Sequence, residues 1–148
     1  DAIGMAELLN DIIAIGGTTA YQQPTTGAKT RRHAIDGPDV LSAVVAEEDG
    51  RIMGWQSVEQ VQGEPSIGTY VRPGLQAKGT GAAMFALTLA ALRERKVSHV
   101  IASIRADNLP GLAYYARIGF HDIGHEPDFA LEDGRKVGRV HRRIDLMD

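Results

Sequence analysis

No cysteine occurs among the 148 residues, so disulfide scaffolds, thiolate metal sites and a cysteine nucleophile are all excluded. Aromatic residues are scarce, at 5% with a single tryptophan, and no apolar run reaches the roughly 18 residues that a membrane-spanning helix needs. Basic charge is also in short supply. Lysine and arginine total 16 against 19 acidic residues, a formal charge of −3. That balance argues against general nucleic-acid binding, because phosphate neutralisation needs a basic surface. No basic segment opens the sequence in the manner of a secretion signal, so a soluble, cytoplasmic protein without nucleic-acid or membrane partners is expected. The five histidines (His33, His99, His121, His125 and His141) show no HExxH or comparable ligand spacing, and no metal is expected.

What is present is ordinary globular composition, 43% hydrophobic and 24% charged, in a length that fits one domain over residues 1–148. Glycine, at 17 residues, exceeds its usual share of roughly 7%. Met5, Leu8, Leu9, Ile12 and Ile13 follow helical spacing from Ile3 to Ile15, and Gly16-Gly17 stop the helix. Thr18 to Gln23 is β-prone. Thr25 or Thr26 caps a short helix over Gly27 to Ile35, ended by Gly37-Pro38. Strands are expected over Val40–Ala46 and Arg51–Val61, joined by a hairpin turn at Asp49-Gly50, and over Pro65–Arg72. A long helix over Gly79–Arg95 precedes a short apolar strand, Val97–Ser103, expected to be buried on both faces. A helix over Leu109–Arg117 ends at Gly119, and strands follow over Phe120–His125 and Val137–Leu146. The fold class is mixed α/β.

The sharpest local signal is Val71-Arg72-Pro73-Gly74-Leu75-Gln76-Ala77-Lys78-Gly79-Thr80-Gly81, a strand followed by a glycine-rich loop that opens the long helix. The first turn of a helix has amides without intrahelical partners at its positive dipole end, so the segment is suited to an anion. Gly79 and Gly81 let a diphosphate approach the main chain, and Lys78 adds charge. Gly74 and Gly79 have the spacing of a P-loop, but Thr80 stands where the phosphate-reaching lysine belongs, which excludes nucleotide hydrolysis. Gly79-Thr80-Gly81-Ala82-Ala83-Met84 also lacks the third position of a dinucleotide fingerprint. Taken alone, the glycines equally suit a tight strand-to-helix turn.

The segment Gln76-x-x-Gly79-x-Gly81 resembles the acetyl-CoA-binding motif of the GNAT superfamily of N-acetyltransferases. Further along, Asn108 to Phe120 is similar to that superfamily's second signature, N-x6-Y-x3-G-F. Ala6-Glu7-Leu8-Leu9-Asn10-Asp11, Val45 to Arg51 and Gly134 to Arg139 resemble its phosphinothricin acetyltransferase-like branch. The resemblance implies a central, mostly antiparallel sheet with a splayed parallel pair and flanking helices. Members of that branch begin with a strand ahead of the first helix, which this sequence lacks, so one sheet edge is expected to be exposed. The branch tends to be dimeric, which implies a homodimer.

By resemblance, Gln76, Ala77, Lys78, Gly79, Thr80 and Gly81 bind the CoA pyrophosphate. Unpaired backbone near Tyr70 and Val71 takes the pantetheine arm, and Asn108 bonds that arm while also suiting a helix N-cap. Tyr115 matches the tyrosine that protonates the departing thiolate, with Tyr114 beside it as the alternative. Where this branch carries a glutamate for deprotonating the amine, the present chain has Ser66. Glu64 is the nearest carboxylate on the same strand face, although Pro65 intervenes. Thr19, Tyr21 and Trp55 are candidate walls of the acceptor pocket, Trp55 equally suiting the core. His141-Arg142-Arg143 reads as a solvated strand face or the rim of a dimer. The expected activity is direct transfer of an acetyl group from acetyl-CoA to a primary amine of a small molecule. A peptide N-acetyltransferase and a non-catalytic CoA-binding module are the alternatives.

Overall fold

The computed structural model describes residues 1–16, 19, 23–74 and 79–146, except for the side chains of residues 128 and 129. Helix α1 (Ala2–Ile15) buries Met5, Leu8, Leu9 and Ile12, a stripe at helical spacing, and ends where Gly16 takes φ 80°. Helix α2 (Gly27–Thr30) is capped by the Thr26 hydroxyl, which accepts from the Lys29 amide at 3.2 Å. Where one continuous helix to Ile35 is expected, the chain widens into a single π turn over Arg31–Ile35, closed by the Asp36 amide on the Arg31 carbonyl at 3.0 Å. The reason lies just beyond it. The backbone folds back so tightly at Gly37 that a Cβ there would lie 1.6 Å from the Arg32 carbonyl oxygen. The β-prone stretch expected at Thr18 to Gln23 lies almost wholly outside the described residues.

Six strands form one sheet in the order β1-β2-β3-β4-β6-β5, with ranges β1 Val40–Glu48, β2 Arg51–Val61, β3 Glu64–Val71, β4 His99–Arg105, β5 His121–Ala130 and β6 Lys136–Asp145. All neighbours are antiparallel except β3 and β4. Helices α3 (Thr80–Glu94) and α4 (Leu109–Arg117) cover one face, where Val58, Ile67, Val100, Ala102 and Ile104 meet Phe85, Leu92, Tyr115 and Phe120. The other face of β1–β3 is covered by α1 and the π turn, around Met5, Leu8, Leu9, Ile12, Ala34, Ile52 and Trp55. Strict alternation would put Ile52 and Trp55 on opposite faces. A bulge resolves this: β1 pairs Ala46 with Gly54 and Glu47 with Ile52, leaving Met53 without a partner there.

Two expectations change. The strand after α3 begins at His99 and is buried on one face only: Val100, Ala102 and Ile104 are covered, whereas Ile101 is half-buried and Ser103 exposed. The α1 layer packs on β1–β3, so this end of the sheet is one-sided. The next strand, β5, runs past His125 to Ala130. It tolerates Pro127 because it is an edge strand, with its register shifted just after Glu126.

Candidate active site

The parallel neighbours β3 and β4 share one partner pair, Ser66 with Ile101, near the start of both strands. Beyond it no further ladder pair joins the two strands, which run on to Val71 and Arg105. Backbone groups along such a splay can take hydrogen bonds from an extended molecule laid between the strands. This is the stretch near Tyr70 and Val71 that the resemblance points to.

At the gap's open end stands the first turn of α3. Its N-cap is Gly79 at φ 79°, a left-handed conformation that glycine adopts without steric cost, and no side chain caps it. The first intrahelical bond comes from Ala83 to the Gly79 carbonyl, which leaves the amides of Thr80, Gly81 and Ala82 without intrahelical acceptors. Those amides sit at the positive end of a 15-residue helix and suit an anion. Gly81 has a further role that its motif does not disclose. A Cβ there would lie 2.7 Å from the Tyr114 ring, so the bare position admits an aromatic side chain from α4. Gln76, Ala77 and Lys78, expected in this loop, lie outside the described residues, as does Tyr21.

Beneath the first turn runs a buried polar network. Gln56 on β2 is 0% exposed. Its amide nitrogen donates to Thr69 Oγ1 at 2.9 Å and to the Tyr114 hydroxyl at 3.0 Å, while its carbonyl accepts from Thr88. Tyr114 in turn donates to the Gly81 carbonyl at 2.8 Å, which ties α4 to the start of α3. Thr69 sits 2.9 Å from the Tyr115 hydroxyl, so the phenol of α4 reaches β3 within the splayed stretch. Tyr115 is 8% exposed and packs edge-on against Phe120. Burial pushes its phenol well above the ordinary range, outweighing the Thr69 hydrogen bond that opposes the rise. Tyr114 is raised for the same leading reason. Of the two tyrosines, Tyr114 joins the two helices, whereas the hydroxyl of Tyr115 meets β3 at Thr69. Gln56 and Thr69 were not singled out from sequence. A glutamine set between Gly54 and Val58, its same-face neighbours on β2, is the signal that could have found the network.

Asn108 caps α4, its side-chain oxygen accepting from the Gly111 amide at 3.0 Å. Arg105, at the end of β4, is buried. It grips Asp107 through two nitrogens at 3.0 and 2.9 Å and donates to the Thr19 carbonyl at 3.3 Å, which pins Thr19 over the strand ends.

The opposite face of the gap carries the other candidates. Trp55 is 3% exposed and donates its indole N–H to the Met5 carbonyl at 3.0 Å. It belongs to the core and backs Tyr70, whose ring lies 4.4 Å away, rather than forming a pocket wall itself. Tyr70 folds back over Gly68, where a Cβ would lie 2.8 Å from its hydroxyl. Ser66 is half-buried at the apex of the splay. Glu64 shares its face but lies toward the closed end, half-exposed and bonded to His99 Nε2. A hollow of about 490 Å³ at that closed end, lined by Pro65, Lys96 and His99 among others, takes no part in the splay. Of the basic run on β6, Arg142 is not solvated: it donates to the Leu112 carbonyl and to Asp122, fastening the strand to α4. Among the described residues no three histidine or acidic side chains gather as a metal site, and no helix is long and apolar enough to cross a membrane.

The comparisons agree with this geometry. The profile of the acetyltransferase (GNAT) family matches residues 7–120. Phosphinothricin N-acetyltransferase of Streptomyces coelicolor is 27% identical across 91% of this chain and 82% of its own length. Mycothiol acetyltransferase of Clavibacter sepedonicus is 33% identical across 79% of this chain, which spans only 41% of that protein. The fold of the Salmonella typhimurium protein yncA, solved with its cofactor acetyl-CoA, superposes with a TM-score of 0.83 over 100% of this chain and 90% of that one, at 17% identity. The chain belongs to the acetyltransferase (GNAT) family and is an acetyl-CoA-dependent N-acetyltransferase.

Proposed function

We propose that the acyl acceptor is the primary amine of a small molecule, an amino acid or amino-acid analogue, and that transfer is direct. The observation that carries this reading is the splay itself, with the α3 amides and the Tyr115–Thr69 contact on one face of β3 and half-buried Ser66, Gly68 and Tyr70 on the other. The similarity to phosphinothricin N-acetyltransferase, named for a small-molecule substrate, supports the acceptor class. The residues present fit acetyl-CoA. Amides of Thr80, Gly81 and Ala82 suit its phosphates, and the parted strands β3 and β4 leave room for an amide-bearing arm. Asn108, the cap of α4, is the side chain assigned to that arm by the resemblance.

Acetyl-CoA supplies the acyl group as a thioester. The acceptor nitrogen attacks the carbonyl carbon, a C–N bond forms and the C–S bond breaks. Backbone amides along the splay suit the carbonyl oxygen as charge grows on it. Tyr115 meets the leaving sulfur. Its raised pKa makes it a poorer acid than a free phenol, so its role is to hold a hydrogen bond to the developing thiolate rather than to surrender the proton early. No cysteine is available for a covalent acyl-enzyme.

The test is thiol release from acetyl-CoA over a panel of phosphinothricin, the free amino acids and short peptides, with calorimetric binding of acetyl-CoA alongside. Turnover is expected with one or more free amino acids or phosphinothricin. Binding without turnover, or turnover of peptides alone, overturns the reading.

A further inference from the structure

An amine arrives at neutral pH as its ammonium form and is no nucleophile until it loses a proton, so the acceptor side of the splay needs a basic group. Ser66, at the apex, carries none. Antiparallel register settles what stands next to it: β2 and β3 pair Glu59 with Ser66, so both side chains project from the same face, with Cβ atoms roughly 5 Å apart. That face is also the face of Trp55 and Tyr70, directly paired four residues further along. Glu59 is more deeply placed than Glu64, with side-chain exposures of 19% and 52%. Its carboxylate is held from above by His33 Nδ1 of the π turn at 2.7 Å, whereas the carboxylate of Glu64 is drawn away from the gap toward His99.

The geometry points to Glu59 as the residue that receives the acceptor's ammonium group and takes its proton, supplying across the β2–β3 ladder the carboxylate that position 66 lacks. This rests on the small-amine reading above. Glu59 accepts one proton from the ammonium nitrogen before that nitrogen attacks, and passes it through His33, which is more than half exposed, to solvent. The second proton lost by the nitrogen balances the thiolate, which leaves as the thiol. The widening of the helix into a π turn then has a purpose, since it sets His33 over β2.

The experiment compares wild type, Glu59→Gln, Glu64→Gln and the double variant Glu59→Gln/Ser66→Glu, using acetyl-CoA with whichever panel amine the wild type turns over. Glu59→Gln should lower kcat/KM for the amine about 100-fold while leaving the Kd for acetyl-CoA within twofold. Adding Ser66→Glu, which returns a carboxylate to the facing position, should recover at least about tenfold of that loss, a recovery that no merely structural role for Glu59 would give. Activity of Glu59→Gln within about threefold of wild type, or a loss confined to Glu64→Gln, overturns the assignment and leaves the small-amine reading standing. A wild-type chain that binds acetyl-CoA yet acetylates none of the panel overturns the small-amine reading, and the assignment falls with it.

Discussion

The two faces of β3 differ in kind. On the face toward α3 and α4, Thr69 joins Gln56, Thr88, Tyr114 and Tyr115 in a network centred on two fully buried side chains, Gln56 and Thr88, and closed by backbone carbonyls of α3. On the face toward α1, half-buried Ser66 stands beside Glu59, whose carboxylate meets the exposed His33. The first face is rigid because a buried polar group left unpaired is costly, so each member holds the others in place. The second can exchange partners with an incoming molecule at little cost. An enzyme that takes one invariant donor and a specific acceptor is served by this division: preformed where the donor lies, adjustable where the acceptor enters.

The contrast can be broken most forcefully at Gln56. Replacing it with leucine removes the hub of the closed face, and a loss of about 3 kcal/mol is expected in urea unfolding, because the hydroxyls of Tyr114 and Thr88 lose a partner. Tyr115→Phe should lower kcat about 100-fold, or about 2.7 kcal/mol, with acetyl-CoA affinity kept. A kcat near wild type in that variant would remove the phenol from the reaction. Gly81→Ala drives a methyl group into the Tyr114 ring, and about 1–2 kcal/mol of destabilisation together with weaker acetyl-CoA binding is expected by thermal melting and calorimetry.

The smallest effect is spectroscopic. Desolvation raises both Tyr114 and Tyr115, so in an alkaline titration of the native protein their phenolate absorbance should appear only above the range of free tyrosine. Because the folded pKa exceeds the unfolded one, the stability linked to these groups is intact below about pH 10 and is lost as pH rises past it. Tyr115→Phe should flatten that decline, and an unchanged slope would argue that the buried phenol does not contribute to it.

Part of the closed face is legible in the sequence. The Gly79-Thr80-Gly81 turn and the Asn108 cap follow from local rules that glycine and asparagine obey wherever they occur, whereas Tyr115 is picked out only by the resemblance of Asn108 to Phe120 to a family signature. The charged face is not legible, and the reason is physical. His33 and Glu59 lie 26 residues apart and meet only because a π turn and a strand register bring them together. Nothing local marks either event. The sequence shows Ser66 where the similar branch carries a glutamate, but its cross-strand neighbour is visible only in the pairing of β2 with β3. Gln56 escaped for a related reason, since a polar residue within a strand ordinarily faces water.

The solitary rung between Ser66 and Ile101 makes this sheet two panels stitched at one point, β1–β3 on one side and β4, β6 and β5 on the other. Main-chain bonding resists bending within each panel but hardly at the seam, so the helices lying across it must act as the splint. Any extended molecule that threads the seam would share that work and make two pieces move as one.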